Sequence, residues 1–214
     1  MDTESLIRRL AADAAHAPVP PSRPGIRLAV AAALGAVAAL TVSISGLGVR
    51  ADLASSLVSL PAGLKFVAPL ALAAGAFVWA RGLARPDAPP LGARMLLPAA
   101  ALFMAPALGA GLPALSEDIG ATLANGTAWV CLALLGLTAL APLALALAAM
   151  RSTATTSPGW AGFAAGLLAG GVAAAAYAVH CPLDAVSFVS IWYPAAIGLV
   201  GLAGALAGQR LLRW

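Results

Sequence analysis

The sequence predicts an all-α, polytopic membrane protein: six transmembrane helices in one bundle, short loops, and both termini in the cytoplasm. Three observations predict it. Apolar residues make up 62% of the 214 and charged residues only 9%. The few charges sit in narrow gaps between long apolar runs. No Asp, Glu, Lys or Arg lies between Arg27 and Arg50, Lys65 and Arg81, Arg94 and Glu117, Asp118 and Arg151, Arg151 and Asp184, or Asp184 and Arg210. A helix rises about 1.5 Å per residue and the hydrocarbon core is about 30 Å thick, so roughly 20 apolar residues cross it. The third observation is that the basic residues collect on one side of the spans so defined.

The spans are expected at Ile26–Leu47, Pro61–Ala80, Met95–Leu112, Ala128–Met150, Pro158–Val179 and Val186–Gly208. Residues 1–25 form a cytoplasmic amphipathic tail and Pro-rich linker, and residues 26–214 the six-helix transmembrane domain. The first apolar run starts near Leu28, too far in for a signal peptide, and is expected to remain as the first span. Lys65 lies inside the second span, where its ammonium is expected to snorkel to the headgroups. Ser59 is placed to cap that span and Pro61 suits its first turn. Leu53, Leu57 and Leu60 suit a short helix in the interface.

Six spans put both ends of the chain on one side. That side holds ten of the twelve basic residues against Asp2, Glu4, Asp13 and Asp87, a balance of +6. The other holds Arg50 and Lys65 against Asp52, Glu117, Asp118 and Asp184, a balance of −2. Basic residues favour the cytoplasmic face, so the termini are expected there. Trp79, Trp160 and Trp214 fall near that boundary and Trp129 near the outer one, as interfacial rings prefer. The net charge of +4 is too diffuse to suggest direct nucleic acid binding.

Gly162, Gly166 and Gly170 recur every four residues, as do Gly204 and Gly208, a spacing that lets helix backbones approach closely. They are expected to form packing faces inside the bundle. Pro69, Pro106, Pro142 and Pro194 lie inside spans. Ionisable groups are missing from the span centres, where pumps and charged-substrate transporters carry them. No phosphate-binding loop, dinucleotide fingerprint, HExxH or GxSxG occurs, so no enzyme is predicted. Asn125-Gly126-Thr127 reads as a polar turn before the fourth span.

Cys131 and Cys181 are the only cysteines, and both fall at the outer ends of their spans. They read as inert buried thiols, as a disulfide in an oxidising compartment, or as part of a soft heavy-metal site. In the last case Cys131, Cys181, His180 and Asp184 would be the ligands. In the tail, Leu6, Ile7 and Leu10 share a small apolar face and Arg8 and Arg9 lie elsewhere. Pro18, Pro20, Pro21 and Pro24 end this helix. It reads either as a basic helix on anionic lipid or as an amphipathic helix presented to a cytosolic partner.

Several of these residues together resemble a family. The tail Leu6-Ile7-Arg8-Arg9-Leu10 running to Pro18-Val19 is one part and Cys131 another. The third is Tyr177, His180-Cys181, Phe188, Ile191-Trp192-Tyr193, a glycine-rich span and the ending Arg210-Leu211-Leu212-Arg213-Trp214. The chain so resembles the NrsF family of bacterial inner-membrane anti-sigma factors (negative regulator of sigma F). The resemblance implies an extracytoplasmic-function sigma factor held inactive at the inner face. Stress from metal or oxidant, perceived through two outward-facing cysteines, would release it. Cys131 and Cys181 would then be the sensing pair, and Leu6, Ile7, Arg8, Arg9 and Leu10 part of the sigma-binding surface. Two other readings of the chain are a small transporter or channel subunit and a structural subunit of a membrane complex.

Overall fold

Where water is absent, a backbone must satisfy its own polar groups, and a helix does so within one segment. The computed structural model describes residues 2–16, 24–85, 93–94, 96–110 and 119–213, and these contain helices and no strand. They form α1 (Thr3–His16), α2 (Pro24–Thr41), α3 (Leu53–Ser56), α4 (Leu60–Leu83), α5 (Leu97–Ala110), α6 (Thr127–Met150), α7 (Pro158–Tyr177) and α8 (Val186–Leu211). α2 runs on into a π-helical turn, Val42–Leu47. Among the described residues, five helices are long and apolar enough to cross a membrane: α2 with its π turn, α4, α6, α7 and α8. The third expected span appears as α5, 14 residues long. Its expected ends, Met95 and Leu112, lie outside the described residues, as do Pro18, Pro20, Pro21, Asp87, Glu117, Asp118 and Trp214.

The local signals act as expected. Ser59 Oγ accepts from the Ala62 amide at 3.4 Å at the start of α4. Asn125 Oδ1 accepts from the Thr127 amide at 3.0 Å, and Gly126 has φ +78°, so this triplet is a polar turn opening α6. In the tail, the Asp2 carbonyl accepts from the Ser5 and Leu6 amides at the start of α1. Leu6, Ile7 and Leu10 on that helix are exposed.

α7 is the most buried of the long helices and packs on α2, α4, α6 and α8. Glycine makes this possible. A Cβ on Gly162 would collide with the Gly204 carbonyl, and one on Gly166 would lie 2.5 Å from the Val200 carbonyl oxygen. One on Gly208 would lie 2.7 Å from the Gly162 Cα. The two glycine faces are therefore each other's partners within one chain. Two interior prolines also sit at crossings. Gly171 faces the Pro69 carbonyl, and Gly35 faces Pro142.

The outer surface of these helices is apolar: Val30, Leu34, Val37, Leu137, Leu140, Leu199, Leu202 and Leu206 are all exposed. A patch of that extent is unusual on a soluble monomer and compatible with a lipid environment. The two ends of the bundle are distinct. At one, Arg27 Nη1 donates to Ser152 Oγ at 2.6 Å, and Trp79, Trp160 and Phe163 cluster with ring centroids 5.8–6.1 Å apart. At the other, the Arg50 amide donates to the Val179 carbonyl and Trp192 Nε1 to Thr122 Oγ1, each at 3.1 Å. Both cysteines lie toward this second end.

Candidate functional site, a buried ionic cluster under the cysteine turn

The segment between α7 and α8, residues 178–185, has no regular secondary structure of its own beyond a turn. Its carbonyls need donors from elsewhere. Two cations supply them. Lys65, one turn into α4, is completely buried. Its Nζ donates to the Cys181 carbonyl at 2.7 Å, the Leu183 carbonyl at 2.8 Å and Asp184 Oδ1 at 2.9 Å. The ammonium also lies 5.8 Å from the Tyr193 ring centroid, within cation–π range. The expected snorkelling does not occur. A turn from 116 to 119 residues away fills all three donor positions, so the ammonium has no need of headgroups or water.

Arg50 follows the π turn and Gly48, and its side chain is 3% exposed. Its guanidinium forks onto Asp184, with bonds of 2.9 and 2.7 Å, and onto Asp52, with two bonds of 2.8 Å. Nη1 donates to the Cys181 carbonyl as well, at 3.1 Å. The Cys181 carbonyl thus takes one bond from each cation. Bonds to Asp52 first, then Asp184, raise the Arg50 pKa and keep it charged against the cost of burial. The same guanidinium holds both carboxyls below the usual carboxylate range, with Lys65 assisting at Asp184. Two cations against two anions make the cluster neutral overall, the condition under which buried charge is tolerable.

Behind this cluster lie the thiols. Cys131 on α6 and Cys181 are 2% and 3% exposed, and both are free. Tyr177 at the end of α7 interacts with both, and its ring lies 5.8 Å from His180 and 6.3 Å from Tyr193. Tyr193 is buried beside the same thiols, and its hydroxyl makes no good hydrogen bond among the described residues.

The structure therefore brings Cys131 and Cys181 together, and leaves the other two candidate metal ligands elsewhere. Nδ1 of His180 donates to the Gly48 carbonyl at 3.1 Å. Both Asp184 oxygens are taken by Arg50 and Lys65. A soft-metal site wants three or four converging donors. Among the described residues no three His, Cys, Asp or Glu side chains converge in that way, so this set does not fit a metal ion. Sequence reasoning passed over Arg50, Lys65 and Tyr177 as site residues. A signal for the first two was present: they are the two basic residues that break the charge asymmetry, and each is balanced by an acid.

Known proteins match this chain along its length. The family model for NrsF, negative regulator of sigma F, matches residues 10–214. The chain belongs to the NrsF family. An anti-sigma-F factor NrsF of Caulobacter vibrioides is 37% identical to it over 220 aligned residues, covering all of both chains. A probable anti-sigma-F factor NrsF of Azospira oryzae is 35% identical over 221, again covering both fully. No solved structure matches. NrsF proteins are regulators and not enzymes.

Proposed function

We propose that this NrsF-family protein is an anti-sigma factor of the bacterial inner membrane. It crosses six times, with α5 as the core of the third span, and keeps both termini in the cytoplasm. There it holds an extracytoplasmic-function sigma factor inactive, with Leu6, Ile7, Arg8, Arg9 and Leu10 contributing to the docking surface. It releases that factor when Cys131 and Cys181, facing outward, sense oxidative stress or a heavy metal that binds the two thiols without His180 and Asp184. The observation that carries the reading is the full-length match to anti-sigma-F factors in a chain whose only two cysteines meet at one end of the bundle.

The geometry supplies a route for the signal. α7 begins at the Trp160 end and finishes at Tyr177, against both thiols. A change at the thiol pair bears first on that tyrosine and on the 178–185 turn. α7 meets α8 along glycine faces that bring the two backbones close, with Phe163 and Leu167 packed onto Gly201, an interface with room for two packings. Coupling of this kind is typically about 1–3 kcal/mol, or about 5–150-fold in affinity. Among the described residues the threonines at depth give the transporter reading no support. Thr41 and Thr138 spend their hydroxyls on the Val37 and Leu134 carbonyls of their own helices.

Co-purification with candidate sigma factors tests the reading. Full-length protein should retain one, and removal of residues 1–22 should weaken retention. Cys131→Ser with Cys181→Ser should retain it and fail to release it on stress. Release that survives the double substitution removes the sensing role. Undiminished binding without the tail moves the docking surface elsewhere.

A further inference from the structure

We propose that Lys65 and Asp184 are positioning residues for the cysteine pair: together with Arg50 they form an ionic latch that holds Cys181 closed against Cys131 and Tyr177. The proposal rests on the cysteine pair being the input, but its test reads the thiols and not the sigma factor.

The argument is one of donors and acceptors. Residues 178–185 carry no helix or strand, and their backbone bonds to α7 run as far as the Cys181 amide, which donates to the Tyr177 carbonyl at 3.0 Å. Seven side-chain bonds from Lys65 and Arg50 reach Cys181, Pro182, Leu183 and Asp184. Every donor of Lys65 goes to this turn. A helix terminus or a hydrophobic clamp would secure the turn at one point. Two cations on the Cys181 carbonyl fix the peptide that carries the thiol itself. The cations stand on separate elements, the segment after the π turn and the start of α4. Opening the turn therefore breaks a buried network as a unit, which gives two arrangements and few between. With the latch closed, both thiols are sealed from solvent. With it open, Cys181 leaves Tyr177 and becomes accessible.

The test is alkylation of full-length protein in membrane vesicles with N-ethylmaleimide, the rate at each cysteine read by mass spectrometry of its peptide. Lys65→Met with Asp184→Asn removes one charge of each sign and keeps the cluster neutral. In this variant Cys181 should react about tenfold faster or more, as a local opening is promoted, while Cys131, anchored within α6, gains less. Asp184→Glu restores a carboxylate and should return Cys181 towards its original rate. An unchanged Cys181 rate, or an equal gain at both cysteines, overturns the latch: the first shows that the bonds do not hold the turn, the second a general loosening of the bundle. If the double variant fails to insert, Asp184→Asn alone carries the same comparison, since Lys65 then keeps its two carbonyl acceptors.

Discussion

Lys65 and Asp184 stand 119 residues apart in the chain and meet at 2.9 Å, with the ammonium fully enclosed by protein. The pair closes the far end of the bundle by joining α4 to the turn between α7 and α8.

Removing both members should cost less than the two single removals added together. Lys65→Met leaves the Cys181 carbonyl with Arg50 alone, strips the Leu183 carbonyl of this donor, and leaves Asp184 only its Arg50 bonds. A loss of about 3 kcal/mol is expected, in the range for breaking a buried pair. Lys65→Met with Asp184→Asn should lose less than the sum of the single changes, by about 0.5–3 kcal/mol. Lys65→Arg should not rescue, because a planar guanidinium cannot occupy a fully enclosed site shaped for an ammonium. Thermal unfolding of the detergent-solubilised protein measures all three.

Acid should loosen the same end. Arg50 holds Asp184 and Asp52 below the ordinary carboxylate range, so their contribution is complete above their unfolded values near pH 4 and is lost as pH falls through the depressed folded values. Stability should be flat in this respect from about pH 5 to 8 and fall below about pH 4. Asp184→Asn should be less stable than the parent at pH 7, and the gap should narrow at acid pH, where a protonated Asp184 resembles asparagine. A gap that stays constant down to pH 2 would show that Asp184 acts by packing and not by charge.

The spans were legible because hydropathy acts locally. Four helices long and apolar enough to cross on their own, α4, α6, α7 and α8, lie within three residues of expectation at each end, and α2 with its π turn ends at Leu47 as expected. The mutual packing of the glycine faces followed from spacing, because close approach needs only the missing side chain. Lys65 was misjudged for the opposite reason. Near a span end, snorkelling and burial differ only in what lies opposite, and its acceptors sit on a turn more than a hundred residues downstream. The four-ligand metal reading failed similarly: adjacency of His180 to Cys181 in sequence says nothing of where each side chain turns.

The glycine faces give a prediction with an internal control. Gly166→Ala would place a Cβ 2.5 Å from the Val200 oxygen and 2.7 Å from the Gly201 Cα, both backbone atoms that cannot swing aside. α7 and α8 must then separate, with an expected loss of about 2 kcal/mol. Gly136→Ala, on α6 with nothing within 4 Å, should be neutral or stabilising by up to about 1 kcal/mol. Thermal unfolding of the two variants side by side measures the contrast. Equal effects would show that the close approach of α7 and α8 carries no energetic weight.

Gly48 links the π turn to the cysteine turn through its backbone. Its φ of 87° with ψ of 162° is a conformation essentially reserved for glycine, and a Cβ there would touch nothing within 4 Å. Gly48→Ala therefore tests backbone strain without a steric clash, and a loss of about 1–3 kcal/mol is expected. If the backbone relaxes to a negative φ, the Gly48 carbonyl turns from His180 Nδ1, now at 3.1 Å, and Arg50 two residues on loses its aim. His180→Ala removes the first of these consequences and spares the second. In the His180→Ala background, Gly48→Ala should thus keep most of its cost, read again by thermal unfolding. If the cost vanishes there, the glycine serves only the histidine, and the aim of Arg50 is set by other contacts.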